Sequence, residues 1–159
     1  MRNVALALAS LLVAVSLSAA DLGRADGNLT IDRQQIPLGY AYALGHQHND
    51  ITKRKDDTKV ILTDKPLAAD ADLDQVEALL PQGMYAVIFN VASNGKITHV
   101  SVLHPKGSYD GGYLEDMPDF RFKNANGPRG TMSGRITSSR VQTNTMTFSV
   151  ESDFNAQVR

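Results

Sequence analysis

"MYAVIFNVASNGKITHVSVLHP", residues 84–105, is the stretch whose reading decides the fold. Asn94-Gly95 lies between two runs rich in Val, Ile, Phe and Thr. That is the strongest short-range hairpin signal, because a type I′ turn needs positive φ at both central residues. A two-residue turn here predicts the register. Ser93 faces Lys96, Val91 faces Thr98, Phe89 faces Val100, Val87 faces Val102 and Tyr85 faces His104. That face is nearly all apolar, whereas the other pairs Asn90 with His99 and Ile88 with Ser101. Turn chemistry and side-chain alternation therefore select one register, since a slip of one residue would turn the whole core face to water.

Outward from this hairpin the same rhythm continues. Gly, Asn, Asp and Thr punctuate the chain about every ten residues, which is strand spacing. The remaining candidate strands are 28–32, 36–44, 58–64, 119–123, 130–138 and 145–154. In "TKVILTD" (58–64) both faces carry apolar groups, as in a central strand. Asp64 ends it by bonding backbone N–H groups in a turn, and Pro66 bars continuation. Asn126-Gly127 marks another hairpin. One segment departs from the pattern. "ADADLDQVEALLPQG" (69–83) places Leu73, Val76, Leu79 and Leu80 on one helical face, with Asp72 as N-cap and Pro81 and Gly83 as the stop. Its acids do not form a calcium loop, because the glycine and the closing glutamate of that loop are missing. The expected fold is mainly β: an antiparallel β-sandwich or partly closed barrel of about seven or eight strands, with one short helix inserted after the third.

The N-terminus "MRNVALALASLLVAVSLSAA" carries Arg2, an uncharged run from Val4 to Leu17, and small residues at Ser18 and Ala20. These are the parts of a secretory signal peptide over residues 1–20, leaving a single antiparallel β domain over 21–159 and no membrane insertion after removal. The apolar run is short for a bilayer span, which takes ~20 residues. No cysteine is present, so an exported chain of this kind relies on its core alone. This composition fits the bacterial periplasm or outer surface. Removal of Arg2 leaves 15 basic against 17 acidic residues, net −2, which argues against nucleic acid as a partner.

Several chemistries find no footing. There is no Cys nucleophile, no G-x-S-x-G elbow, no GxGxxG, no P-loop and no H-E-x-x-H. No catalytic residue is assigned. A hydrolase whose site is assembled from distant carboxylates remains an alternative, since the acids group loosely at Asp56-Asp57 and at Glu115-Asp116-Asp119. "GHQHND" (45–50) brings His46, His48 and Asp50 to one side of an extended chain. These residues define a weak Cu, Ni or Zn site, and a periplasmic transition-metal-binding protein is the second alternative. Two imidazoles and one carboxylate beside Lys53, Arg54 and Lys55 fall short of a dedicated site. His99 and His104 differ by an odd number and so point to opposite faces. The Gly-rich segment "HPKGSYDGGYLEDMPD" (104–119) reads as a long loop, and Tyr109, Asp110 and Tyr113 are its candidate binding residues.

"YAYAL" (40–44), "KVILTDKPL" (59–67) and "ASNGKITHVSVLHP" (92–105) occur in order. Over roughly residues 28–155 the chain resembles a group of uncharacterised small secreted or periplasmic bacterial β-domain proteins. The resemblance implies an exported, all-antiparallel domain and no known activity. The resulting expectation is an exported, non-enzymatic binding or interaction module for an unknown small molecule or protein, with no resident cofactor.

Overall fold

A computed structural model describes residues 20, 22–49, 51, 53–79, 83–125, 127 and 129–159. The proposed signal segment, Asp50 and Asn126 therefore lie outside the described residues, apart from Ala20. The described residues form ten strands: β1 (Arg24–Ile31), β2 (Gln34–Asn49), β3 (Arg54–Thr63), β4 (Ala86–Val91), β5 (Ile97–His104), β6 (Gly107–Tyr113), β7 (Phe120–Asn124), β8 (Thr131–Ser138), β9 (Val141–Gln142) and β10 (Thr147–Gln157). All eight expected strands are present. The two additions are β9 and β6, and β6 converts seven of the sixteen residues of the expected 104–119 loop into a sheet edge.

The sheet order is β6-β5-β4-β3-β2-β1-β10-β8-β7, with β9 paired to β10; the pairings between these strands are antiparallel, and Ala43 of β2 adds an isolated parallel bridge to Val158. The sheet is curled into a half-barrel. Ring contacts measure the curl. Tyr109 of β6 lies 5.0 Å from Phe148 of β10, centroid to centroid. Those strands stand six places apart in the sheet order, about 29 Å in a flat sheet at ~4.8 Å per strand. Phe89 of β4 meets Phe154 of β10 edge-on at 5.6 Å, again across the hollow. The concave face is thus the main core, where Leu29, Leu38, Val60, Leu62, Val87, Val100, Val102, Ile136 and Val150 are buried.

The outer face of β3 and β4 is covered as well. Ile61, Ala86 and Ile88 pack against Leu73 and Val76 from the segment that follows β3. The segment is tied down by Lys59 Nζ, which donates to Asp74 O at 3.0 Å, and by the Leu67 N–H, which donates to Tyr42 Oη at 2.8 Å. Within it the described residues form one helical turn, α1 (Val76–Leu79), and 69–75 are not helical; Leu80 and Pro81 of the expected 69–83 helix lie outside the described residues. Asp72 accepts the Asp74 N–H at 2.9 Å, so its carboxylate caps a turn ahead of that helical turn. β3 ends before Asp64 as expected, but the Asp64 carboxylate accepts the Tyr85 N–H at 2.8 Å, just ahead of β4, rather than an N–H of its own turn.

The hairpin that decided the fold contains two departures that cancel. Ala92 N–H donates to Lys96 O at 2.9 Å and Gly95 N–H donates to Ala92 O at 2.8 Å. The connection is therefore a three-residue loop, with positive φ at Gly95 (81°) and not at Asn94. It is a type I turn closed by a bulge glycine, not the two-residue type I′ turn expected. Val91 consequently pairs with Ile97 rather than Thr98. A register shift then follows between Asn90 and Val91, and the predicted register returns: Asn90 opposite His99, Phe89 opposite Val100, Val87 opposite Val102. Thr98 is the extra residue. Its hydroxyl donates to Asp57 Oδ2 at 2.7 Å in the protein interior. The β7–β8 hairpin is also present, but Asn124 already pairs with Gly134, so its connection is longer than an Asn126-Gly127 turn.

Candidate functional site

The two end strands, β6 and β7, are consecutive in the chain. Residues 114–119 carry it from one edge of the half-barrel to the other. Leu114 N–H donates to Thr98 O and Met117 N–H donates to Ile97 O, each at 2.9 Å, so the crossing segment is stitched to the start of β5. The result is a seam. One wall is the β4–β5 turn with Lys96 and Ile97, and the other is β7.

Why β7 presents the side chains it does follows from alternation. Phe120 and Phe122 point inward, Phe120 toward Phe148 (6.3 Å) and Phe122 stacked on Phe154 (5.9 Å). Gly134 of β8 makes the second contact possible, because a Cβ there would collide with Lys123 O and the Phe122 ring. Arg121 and Lys123 alternate to the outside, where both are exposed. Between the walls lies a cleft of about 700 Å³ lined by Ile97, Phe120 and Phe122 together with Lys96, Arg121, Lys123 and Arg135. A second recess of about 320 Å³ continues past Phe122 beneath the β4–β5 turn, reaching Asn94 and Met132.

The charges of the seam are unevenly satisfied. Lys96 is bridged to Asp116 at 3.1 Å. Arg135 is bonded to Glu151 and lies 3.6 Å from Asp153; the Glu151 hydrogen bond and the Asp153 charge hold its guanidinium pKa above the usual value. Among the described residues neither Arg121 nor Lys123 forms an ion pair. A lined apolar floor with two uncompensated cations at its rim is suited to a ligand that is apolar on one side and anionic on the other.

The sequence-expected site residues lie elsewhere. Tyr109 is not an exposed loop residue. It sits on β6, half-buried on the core against Phe148, and burial followed by the nearby Asp119 and Asp110 charges raises its phenol pKa. Asp110 and Tyr113 serve the same edge strand. Asp110 Oδ1 lies 3.1 Å from His99 Nε2 and accepts the Gly112 N–H at 2.8 Å. The Tyr113 ring stacks on the His99 imidazole at 4.5 Å. The Gly112 hydrogen bond, then the His99 contact, hold the Asp110 carboxyl below its usual value, against a partial desolvation. These three residues fasten β6 to β5.

His46 and His48 are exposed near the end of β2, within the strand rather than in a free loop. His46 has φ 57°, and the β2–β3 register shifts on both sides of Gln47, so simple alternation does not hold there. Asp50 is outside the described residues. Among the described residues no group of three or more metal-ligating side chains converges.

A row of polar side chains crosses the outer face: Lys59 opposite Asn90, Asn90 opposite His99, His99 opposite Tyr113. Lys59, Asn90 and His99 are buried. Among the described residues, both amide atoms of Asn90 and Nδ1 of His99 lack a hydrogen-bond partner.

Comparison of the chain with known protein families, curated proteins and solved structures finds no match. The seam residues were in part legible: "DFRFK" alternates aromatic and cation and was expected as a strand. Its role as a wall of the seam depends on which edges the curl brings together, and no local pattern encodes that.

Proposed function

We propose that this chain is an exported, non-enzymatic binding module whose ligand seats in the seam. The ligand, a small molecule or a protein segment, presents anionic groups beside an apolar surface. One observation carries the reading: Arg121 and Lys123, which form no ion pair among the described residues, stand beside Phe120, Phe122 and Ile97 at an open cleft, in a chain whose formal net charge is −1. The volume is in the range of small-ligand sites, ~300–1,000 Å³. Export to the periplasm or the medium rests on the residue 1–20 pattern and on the resemblance to small secreted bacterial β-domains. No observation of the fold favours the His46/His48/Asp50 metal reading or the distant-carboxylate hydrolase reading over it.

Titration of the mature protein with the fluorescent apolar anion 1-anilinonaphthalene-8-sulfonate tests the site. Saturable binding should weaken about tenfold in the Arg121→Ala/Lys123→Ala double variant and fall as salt rises. Absence of saturable binding, or equal binding by the double variant, contradicts the reading. N-terminal sequencing of exported protein should begin at or near Asp21, and an intact Met1 in the soluble cytoplasmic fraction would contradict export.

A further inference from the structure

We propose that the seam's natural occupant is an extended peptide segment of alternating apolar and acidic residues, which adds to β7 as one more strand of the half-barrel. The inference rests on the seam being the binding site and goes beyond it by naming the backbone of β7 as part of that site.

The backbone bonding of β7 is the first support. Ser139 N–H donates to Asp119 O and Ala125 N–H donates to Ser133 O, both at 2.9 Å. In an antiparallel ladder the paired residues alternate, so 119, 121, 123 and 125 direct their backbone groups at β8. The N–H and C=O groups of Phe122 and Asn124 therefore point the opposite way, into the seam. Phe120 obeys the same parity, its N–H donating outward to Met117 O at 3.0 Å. Beyond that bond β7 is the end of the sheet, with no strand on its free side among the described residues. An unpaired strand edge is a template for another strand.

The second support is the side-chain pattern such a strand would meet. Residues added opposite Phe120 and Phe122 point to the concave side, onto an apolar floor that includes Ile97. Residues added opposite Arg121 and Lys123 point to the outer side, where these cations have no ion-pair partner among the described residues. Directly opposed pairs of unlike charge are favourable across strands. The matching segment is thus apolar and acidic in alternation. The same chain already uses this solution: in "VESDF" (150–154) of β10, Val150 and Phe154 face the core, while Glu151 and Asp153 face out to Arg135. The seam offers an incoming strand the environment that β8 offers β10. The opposite edge lacks these features, since β6 carries Asp110 and a glycine irregularity at Gly111-Gly112.

The test uses end-capped peptides with the length of β7, alternating valine and glutamate, titrated into the mature protein and in competition with the naphthalenesulfonate probe. The Val/Glu peptide should bind and displace the probe. Its Val/Lys counterpart, and a Val/Glu peptide N-methylated at alternate residues on its pairing edge, should each bind at least about tenfold more weakly. Exchanging charge in Arg121→Glu/Lys123→Glu should reverse the preference toward the Val/Lys peptide; both positions are exposed, and circular dichroism verifies the fold of the variant. Probe binding at the seam with no peptide competition, or equal binding of the N-methylated peptide, overturns strand addition and leaves the seam site standing. Failure of both probe and peptide overturns both. Equal capture of heparin or of anionic vesicles, insensitive to the alternation, also overturns the peptide proposal.

Discussion

Lys123 and Arg135 stand directly opposite each other on adjacent antiparallel strands. Like charges in that relation are destabilising by a few tenths to ~1 kcal/mol. Arg135 is held by Glu151 and by Asp153, its cross-strand neighbour on the far side, but Lys123 has no such partner among the described residues. The proposed binding of an anionic ligand would relieve that repulsion, since the cation stands next to the apolar cleft.

The exchange Lys123→Glu should therefore separate stability from binding. It replaces a repulsive pair with an attractive one and should raise stability by ~0.5–1 kcal/mol at low salt, measured by urea unfolding. The same variant should lose affinity for apolar anions. A variant that is both less stable and equally competent to bind would show that Lys123 serves the fold alone.

Phe89 is fully buried and packs edge-on against Phe154 across the hollow. Phe89→Ala removes the ring from the centre of the concave core and should cost ~3–5 kcal/mol. An unchanged melting temperature would mean that the core does not lie on this face of the 84–105 hairpin.

Thr98 is the bulge residue that restores the hairpin register, and its hydroxyl donates to the buried Asp57 carboxylate, which also accepts from Asn49 Nδ2 at 3.4 Å. Thr98→Val keeps the shape and deletes the donor. With Asp57 Oδ1 already unpartnered, the loss should cost ~1–3 kcal/mol. Thr98→Ser should recover most of it. A neutral Thr98→Val would place Asp57 in contact with water instead.

Asp110 supplies a pH dependence localised to the β5–β6 edge. Its folded carboxyl is held below the ordinary value of 3.8, chiefly by the Gly112 N–H and then by His99. A lowered folded pKa means that its contribution is complete above the unfolded value and is lost as pH falls through the folded value. The side chain is largely exposed, so the effect is small and screened by salt. The protection of β6 amides, corrected for the intrinsic exchange rate at each pH, should fall below about pH 4, near the unfolded carboxylate range. Asp110→Asn should flatten that acid limb and leave neutral-pH exchange of the concave core unchanged. An acid limb of equal size in the variant would assign the loss to other carboxylates.

Strands that alternate or run apolar on both faces were legible locally: β3 was read as central from Val60, Ile61 and Leu62, and all three are buried. The Phe89–Val100 register was legible too, although the turn beneath it was not, because Asn94-Gly95 serves a type I turn with a bulge glycine as readily as a type I′ turn. β6 was missed because Gly107, Gly111 and Gly112 and exposed polar residues carry little strand signal; it is held as the second arm of a tight hairpin with β5, in which His104 pairs with Gly107. The expected helix is absent over 69–75, where Leu73 is placed by packing against Ile61 and Ile88 outside any helical turn. The same limit hid the seam. Phe122 and Ile97 are far apart in sequence, and only the curl of the sheet makes them walls of one cleft.

The most direct measurement is a backbone NMR titration of isotope-labelled mature protein with the alternating Val/Glu peptide. Binding along β7 predicts that the largest amide shifts and the strongest new exchange protection fall on Phe122 and Asn124, with smaller changes at Lys96 and Ile97 across the seam and none along β6. Perturbations confined to β6 or to the outer face of β1 and β10, or an unperturbed β7 at saturating peptide, would contradict the seam as the binding site.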